Sequence, residues 1–278
     1  MFRTALALVA VTAAAAAAQP TPVSPDLRDV MSARNVAMGG AFESMGYGAE
    51  VILGNPAALS AFKRYQIELN GAWDPGLGYG YGNVAVADST TALAAGISYQ
   101  FATFGGFERR WAHTTTLALA YPLAEFLHLG VAARYNVLVG ASNTNSVTMN
   151  AGLVVRPFDF LSLSFSGHNL IPNYNVDLPR YFVASVSGLF LKQLTPVIDV
   201  WMDFNQPAAR FSFRGGVEWL IDETFPLRVG YQYDGIVNKQ YLSGGLGYFA
   251  EGSGVDLAYR HELAGDGRLI SLTLKLQL

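Results

Sequence analysis

"ISLTLKLQL", Ile270 to Leu278, sets Leu272, Leu274, Leu276 and Leu278 on one side of an extended chain and Ser271, Thr273, Lys275 and Gln277 on the other. Successive side chains of a strand point to opposite faces, so this stretch is a strand with one apolar and one polar face. The same period of two recurs upstream as far as Lys63, in segments of about ten residues. The expected strands begin near Arg64, Leu77, Thr91, Arg110, Glu125, Ser146, Phe160, Arg180, Thr195, Ala209, Pro226, Gln240, Gly254 and Leu269. That is about fourteen strands, each with its connection taking roughly fifteen residues, which suits bilayer-crossing strands of about 9–11 residues.

Composition decides what the apolar face meets. Of 278 residues, 51% are hydrophobic and only 14% charged, against about 25% charged in ordinary soluble domains. No segment past the N-terminus reaches the roughly 18 uninterrupted apolar residues that a spanning helix requires. The polar face of the strands is rich in Ser, Thr and Gly and poor in Lys and Glu, unlike the solvated surface of a soluble all-β protein. With 13% aromatics and 29 glycines, the expected fold is an all-β transmembrane antiparallel barrel, residues 63–278, with lipid as its outer partner. A net charge of −3 points to no nucleic-acid partner.

Residues 1–18 read as a cleaved export signal: Arg3, an apolar run, and the alanine tract Ala13 to Ala18 before Gln19. Such a chain is destined for the bacterial outer membrane. Residues 19–62 form a Pro-rich leader followed by "SARNVAMGGAFESMGYGAEVILGNPAALSAF", Ser32 to Phe62, a mixture of short helical and turn signals without a period of two. This segment is expected to sit inside the barrel as a plug. Connections alternate: "ADST", "YPLAE", "RPFDF", "LKQLTP" and "AEGS" are short, while "FATFGGFERR", "VLVGASNTN" and "HNLIPNYNVDLP" are longer. Short periplasmic turns and longer outer loops give that alternation.

With the apolar set toward lipid, the other parity faces the lumen. It carries Asp199, Asp203, Arg210, Arg214, Glu218, Arg228, Asp256, Arg260 and Lys275, a strip of both signs along the C-terminal half of the wall. An Arg or Lys facing lipid near the midplane costs about 2–4 kcal/mol, which fixes the parity. These charges either grip the plug, through Arg34, Glu43 and Glu50, and line a route past it, or pair across neighbouring strands and fill the interior. Inward positions from the third to the eighth strand are mostly small, with Arg134, His128 and His168 as isolated polar heads. The second strand breaks parity between Tyr79/Tyr81 and Val84/Val86, and a β-bulge or kink at Gly82 accounts for that most simply.

Chemistry is sparse. The four histidines have no metal-ligand spacing and there is no cysteine, so neither a metal site nor any cofactor is expected. No Gly-x-Ser-x-Gly elbow occurs, and "GLGYGYG" lies in an alternating strand with no following helix, so it is no phosphate loop. His128 or His168 beside Ser162, Ser164 or Ser166 is the one arrangement that would suit a wall-borne hydrolase; the chain is read as a non-enzyme.

"ARNVAMGGAFES", Ala33 to Ser44, and "GAEVILGNPAALS", Gly48 to Ser60, resemble the N-terminal hatch of the FadL-like outer-membrane transporters, and more closely that of the PorV/PorQ branch. Met38, Gly39, Gly40 and Ala41 match the Met-Gly-Gly-Ala stretch of these families, and Asn55, Pro56 and Ala57 match the Asn-Pro-Ala motif before the first strand; Arg34 lies in the same block. The C-terminal strand is also similar, although it ends in Leu278 where the family often has an aromatic. The resemblance implies passive transport of small hydrophobic molecules past the plug. Its PorV-like alternative is a barrel that binds secreted cargo proteins, and a permanently closed structural barrel is the third possibility.

Overall fold

The computed structural model describes residues 31–104, 110–140, 143–171, 178–204, 210–235 and 237–278; the expected export signal, residues 1–18, and the leader up to residue 30 lie outside them. Fourteen strands follow in order: β1 (Tyr65–Asp74), β2 (Tyr79–Asp88), β3 (Ala94–Phe104), β4 (Arg110–Ala124), β5 (Leu127–Val139), β6 (Thr144–Phe158), β7 (Leu161–His168), β8 (Tyr181–Gly188), β9 (Leu194–Asp203), β10 (Arg210–Ile221), β11 (Phe225–Asp234), β12 (Lys239–Ala250), β13 (Ser253–Glu262) and β14 (Arg268–Gln277). Each pairs antiparallel with its sequence neighbours, and β1 pairs with β14, from Gln66 opposite Gln277 to Trp73 opposite Ile270, so the barrel closes without an edge. Every expected strand start lies within three residues of the observed one.

The five short connections all lie at the end of the barrel where β1 begins and β14 finishes. At the opposite end two of the expected long loops are shorter than anticipated. β3 extends to Phe104, and β5 and β6 consume most of Val137 to Asn145, because their backbone ladders continue past the membrane-facing pattern. The longest of these connections is the one between His168 and Tyr181.

Large apolar side chains on all parts of the circumference are exposed, among them Leu69, Leu117, Val131, Ile198, Val229, Leu257 and Leu272. A continuous belt of this kind far exceeds the few hundred Å² of apolar patch found on soluble monomers, and a bilayer is the solvent that covers it. Leu272→Arg, at the middle of β14, is expected to lower unfolding stability by about 2–4 kcal/mol. Urea titration in lipid vesicles measures it, and a loss no greater than that of Leu272→Ala would mean that Leu272 does not face lipid.

The expected irregularity at Gly82 is absent. β2 pairs without a register shift on both sides, Gly82 standing opposite Gly71 of β1 and Phe101 of β3. Tyr79 and Tyr81 are buried together with Asn83, Ala85 and Ala87, so the parity never breaks. Two lumenal tyrosines had the appearance of lipid-facing apolar residues, but their hydroxyls find partners inside. Tyr81 donates to the Met31 carbonyl (2.9 Å), and Tyr79 accepts from Arg260 Nη2 (3.1 Å). Gly71 and Gly82 both face outward and leave a hollow of about 360 Å³ in the lipid-facing wall, bordered by Leu69, Val84, Phe101 and Leu272. The wall there is thin but closed.

Residues 31–62 fill the lumen. Helix α1 (Ala33–Ala37) rests against β11 to β14 and β1, while 3₁₀ turns at Gly48–Ile52 and Pro56–Ser60 rest against β1 to β4 and β3 to β6 respectively. Ser32 caps α1, its hydroxyl accepting from the Asn35 N–H. Almost every residue from Met31 to Ser60 is buried. The segment has no surface of its own to solvate, and its core is the barrel wall.

Candidate functional site

Six charged side chains, two from the plug and four from the wall, form a closed alternating ring. Arg34 of α1 meets Glu50 at 2.6 Å and Glu218 of β10 at 2.9 Å. Arg228 of β11 meets Glu218 at 2.6 Å and Asp256 of β13 at 2.5 Å. Lys275 of β14 completes the circuit, 3.2 Å from Asp256 and 3.3 Å from Glu50. Strand register builds the wall part. Glu218 is directly opposite Arg228, and β12 presents Gly245 and Gly247 at the inward positions between, so that Arg228 and Asp256 reach each other over a strand without side chains. Five of the six side chains are at most 3% exposed; Glu218 is 14% exposed. Buried charges persist only when paired, and here each has two partners of opposite sign. Four of the nine strip residues thus pair with one another across strands, and two of them, Glu218 and Lys275, also meet the plug charges Arg34 and Glu50.

The rest of the strip is distributed differently. Asp199 accepts from the backbone N–H groups of Phe42 (2.9 Å) and Glu43 (3.2 Å) and from the Ser185 hydroxyl, so it anchors the turn after the Met-Gly-Gly-Ala stretch. Arg214 lies 3.6 Å above the Trp201 ring, and Arg260 lies over Tyr241. Asp203 is buried opposite Arg210, which stands exposed at the start of β10.

The plug motifs lie where the wall has glycines. Gly39 and Gly40 have positive φ, +69° and +78°, which glycine adopts without strain. The backbone of Met38 and Gly39 presses on Gly216 and Gly230 so closely that a Cβ on either wall residue would overlap it. The Gly39 N–H donates to Ser243 Oγ at 3.0 Å. Asn55 caps the turn beginning at Pro56 by accepting from the Ala57 N–H (3.0 Å) and donates through Nδ2 to the Leu153 carbonyl (3.2 Å); Asn55 to Ala57 sit against Gly130 and Gly152. The wall glycines were not singled out from sequence, although their inward parity was available.

His168 does meet Ser166, with Nε2 2.9 Å from Oγ, and His128 Nδ1 is 3.0 Å from Ser60 of the plug. Glu43 approaches the same His168 nitrogen (3.4 Å) and accepts from Ser166 (2.9 Å). A relay needs the acid on the far ring nitrogen, so this cluster is a plug contact. Among the described residues no cluster of His, Asp and Glu has the arrangement to hold a metal ion.

A cavity of about 320 Å³ separates the plug from β6 to β10 and opens at the end holding the short connections. Met45, Tyr47 and Phe62 of the plug face Val154, Leu161 and Leu220 of the wall, and the Arg34 and Glu218 pair lies at its inner end. Tyr47 is sandwiched between Arg34 (4.6 Å) and Arg64 (4.4 Å), and Arg156 lies 4.7 Å over Phe62, so cations hold the aromatic mouth in place.

No protein-family model and no curated protein matches the chain. Solved structures do. The CymD monoaromatic hydrocarbon channel superposes with a TM-score of 0.71 at 14% identity, over 89% of this chain and 97% of that one. The Pseudomonas putida toluene transporter TodX gives 0.67 at 12% identity over 88% and 96%. A Pseudomonas aeruginosa FadL homologue gives 0.63 at 15% identity over 89% and 97%. The chain therefore has the fourteen-strand barrel fold of the FadL-type channels, with the plug ring and the adjoining cavity as its candidate site.

Proposed function

We propose that the chain is an outer-membrane channel through which small hydrophobic molecules pass passively beside the plug. The cavity between plug and wall carries this reading. At about 320 Å³ it is roughly twice the 150 Å³ of an apolar cavity that takes up benzene, and its lining is mostly apolar. The hydrocarbon channels that share the fold support the same substrate class.

Cells with a lipopolysaccharide outer membrane are expected to take up labelled toluene faster when they carry the gene; equal uptake with and without it would sink the proposal. Ser162, on the inward face of β7, lines the cavity. Ser162→Trp is expected to fill it and cut uptake several-fold with the barrel still folded, as judged by heat-modifiable electrophoretic mobility. Undiminished uptake would place the route elsewhere.

A further inference from the structure

We infer that Gln66 and Glu68 of β1 form a proton-binding site in the lumen, and that the proton held there keeps the ring of charges closed on the plug. The two side chains point inward from alternate positions of one strand and are 0% and 1% exposed. The Gln66 amide donates through Nε2 to Glu68 Oε2 (3.2 Å). Each side chain keeps one further buried oxygen, Gln66 Oε1 and Glu68 Oε1, and neither has a hydrogen-bond partner among the described residues. Two acceptors cannot satisfy one another. A proton on Glu68 Oε1 turns one of them into a donor, and its O–H closes onto Gln66 Oε1 beside the existing N–H bond. The result is the two-point pair of a neutral carboxylic acid with a carboxamide, which leaves no oxygen of either group over.

Charge balance points the same way. The ring of Arg34, Arg228 and Lys275 with Glu50, Glu218 and Asp256 is neutral in itself. Glu68 is a further carboxylate at its edge, directly opposite Lys275 in the register of β1 and β14, and it makes no ion pair with any described residue. On its other side β2 offers only Ala85. The charges that face Glu68 are Lys275 and Asp256 of the wall with Arg34 and Glu50 of the plug. An ionised Glu68 would set four buried carboxylates against three cations, and a buried charge without a counter-charge is avoided by neutralisation. Gly48 lies so close over Gln66 that an added carbon would overlap its Oε1, so there is no room for a metal ion; a proton needs none. When the proton leaves, Glu68 competes with Glu50 for Lys275 and repels Glu50, the plug's own carboxylate in the ring. The hold of the wall on the plug then weakens.

The site is independent of the proposed hydrocarbon route, since it lies on β1 and the cavity borders β6 to β10. Infrared spectra of the full-length barrel in detergent at neutral pH are expected to show the C=O band of a protonated carboxyl that is missing from Glu68→Gln. That variant has the shape of the neutral acid and is expected to fold, as judged by heat-modifiable electrophoretic mobility. Gln66→Leu removes the amide partner and should move the band to higher frequency, a response that a proton bound elsewhere does not give. In planar bilayers the conductance of the native barrel is expected to rise several-fold from neutral to alkaline pH and to return on reacidification, while Glu68→Gln stays at its neutral value. Identical carboxyl bands in the native barrel and Glu68→Gln would overturn the site, and a band unmoved by Gln66→Leu would overturn the pairing. Equal pH dependence of conductance in the native barrel and Glu68→Gln would overturn its hold on the plug.

Discussion

A Glu218→Gln barrel is expected to pass ions that the native barrel blocks, with a clear rise in single-channel conductance in planar bilayers. Glu218 is the one residue of the ring that holds Arg34 and Arg228 together, accepting from both. Its neutralisation leaves two buried guanidinium groups short of negative charge. Breaking one partner out of a buried ion pair costs about 3–5 kcal/mol. The wall strands are tied by continuous ladders, so the strain is relieved by movement of the plug. The control is Arg34→Met with Glu50→Met. The ring divides into a plug pair and a wall chain of Glu218, Arg228, Asp256 and Lys275, each half neutral and paired within itself. Deleting the plug pair therefore strands no charge, and apolar replacement of a buried pair is often neutral. The double variant should stay closer to the native conductance than Glu218→Gln. A closed Glu218→Gln channel would show that the ring does not hold the plug, and a double variant more open than it would show that lost contact, rather than stranded charge, is what frees the plug.

The barrel was legible in the sequence because a misplaced charge in lipid is expensive. That cost forces a period of two wherever Arg214, Glu218, Arg228, Asp256 or Lys275 occurs, and their faces were readable one strand at a time. Their partners were not. Arg228 reaches Asp256 across β12 because Gly245 and Gly247 leave the way clear, a relation between three strands that no single segment contains. Tyr79 and Tyr81 misled for another reason: a tyrosine counts as apolar in a pattern, yet its hydroxyl suits it to the lumen, where Arg260 and Met31 occupy it. Glycine is silent in the same way. Gly130, Gly152, Gly216 and Gly230 cast no vote in an alternation of polar and apolar residues, so the seats of the two plug motifs went unread although the motifs themselves stood out.

Those seats lead to the second large effect: Gly230→Val is expected to expel the Met38 to Ala41 stretch from the wall while leaving the barrel closed. Gly230 faces the lumen midway along β11, opposite Gly216 and Ser243. A side chain there meets backbone atoms of Met38 and Gly39 rather than the movable end of a side chain. Gly39 has little freedom to retreat, since its own positive φ already places it against Tyr231 and Gly215. Overpacking a filled interior costs about 1–3 kcal/mol even where side chains can adjust. The strand itself has no objection to valine, a favourable β residue. The strain thus falls on the plug, which is expected to become cleavable by added protease in detergent, with the barrel keeping its folded electrophoretic mobility. Gly71→Ala is the matched control, because Gly71 faces lipid with nothing within 4 Å of the added carbon, and it should leave the plug protected. Equal protection of the plug in Gly230→Val would mean that the motif is not held by its glycine seat, and the ring of charges would then have to secure the plug alone.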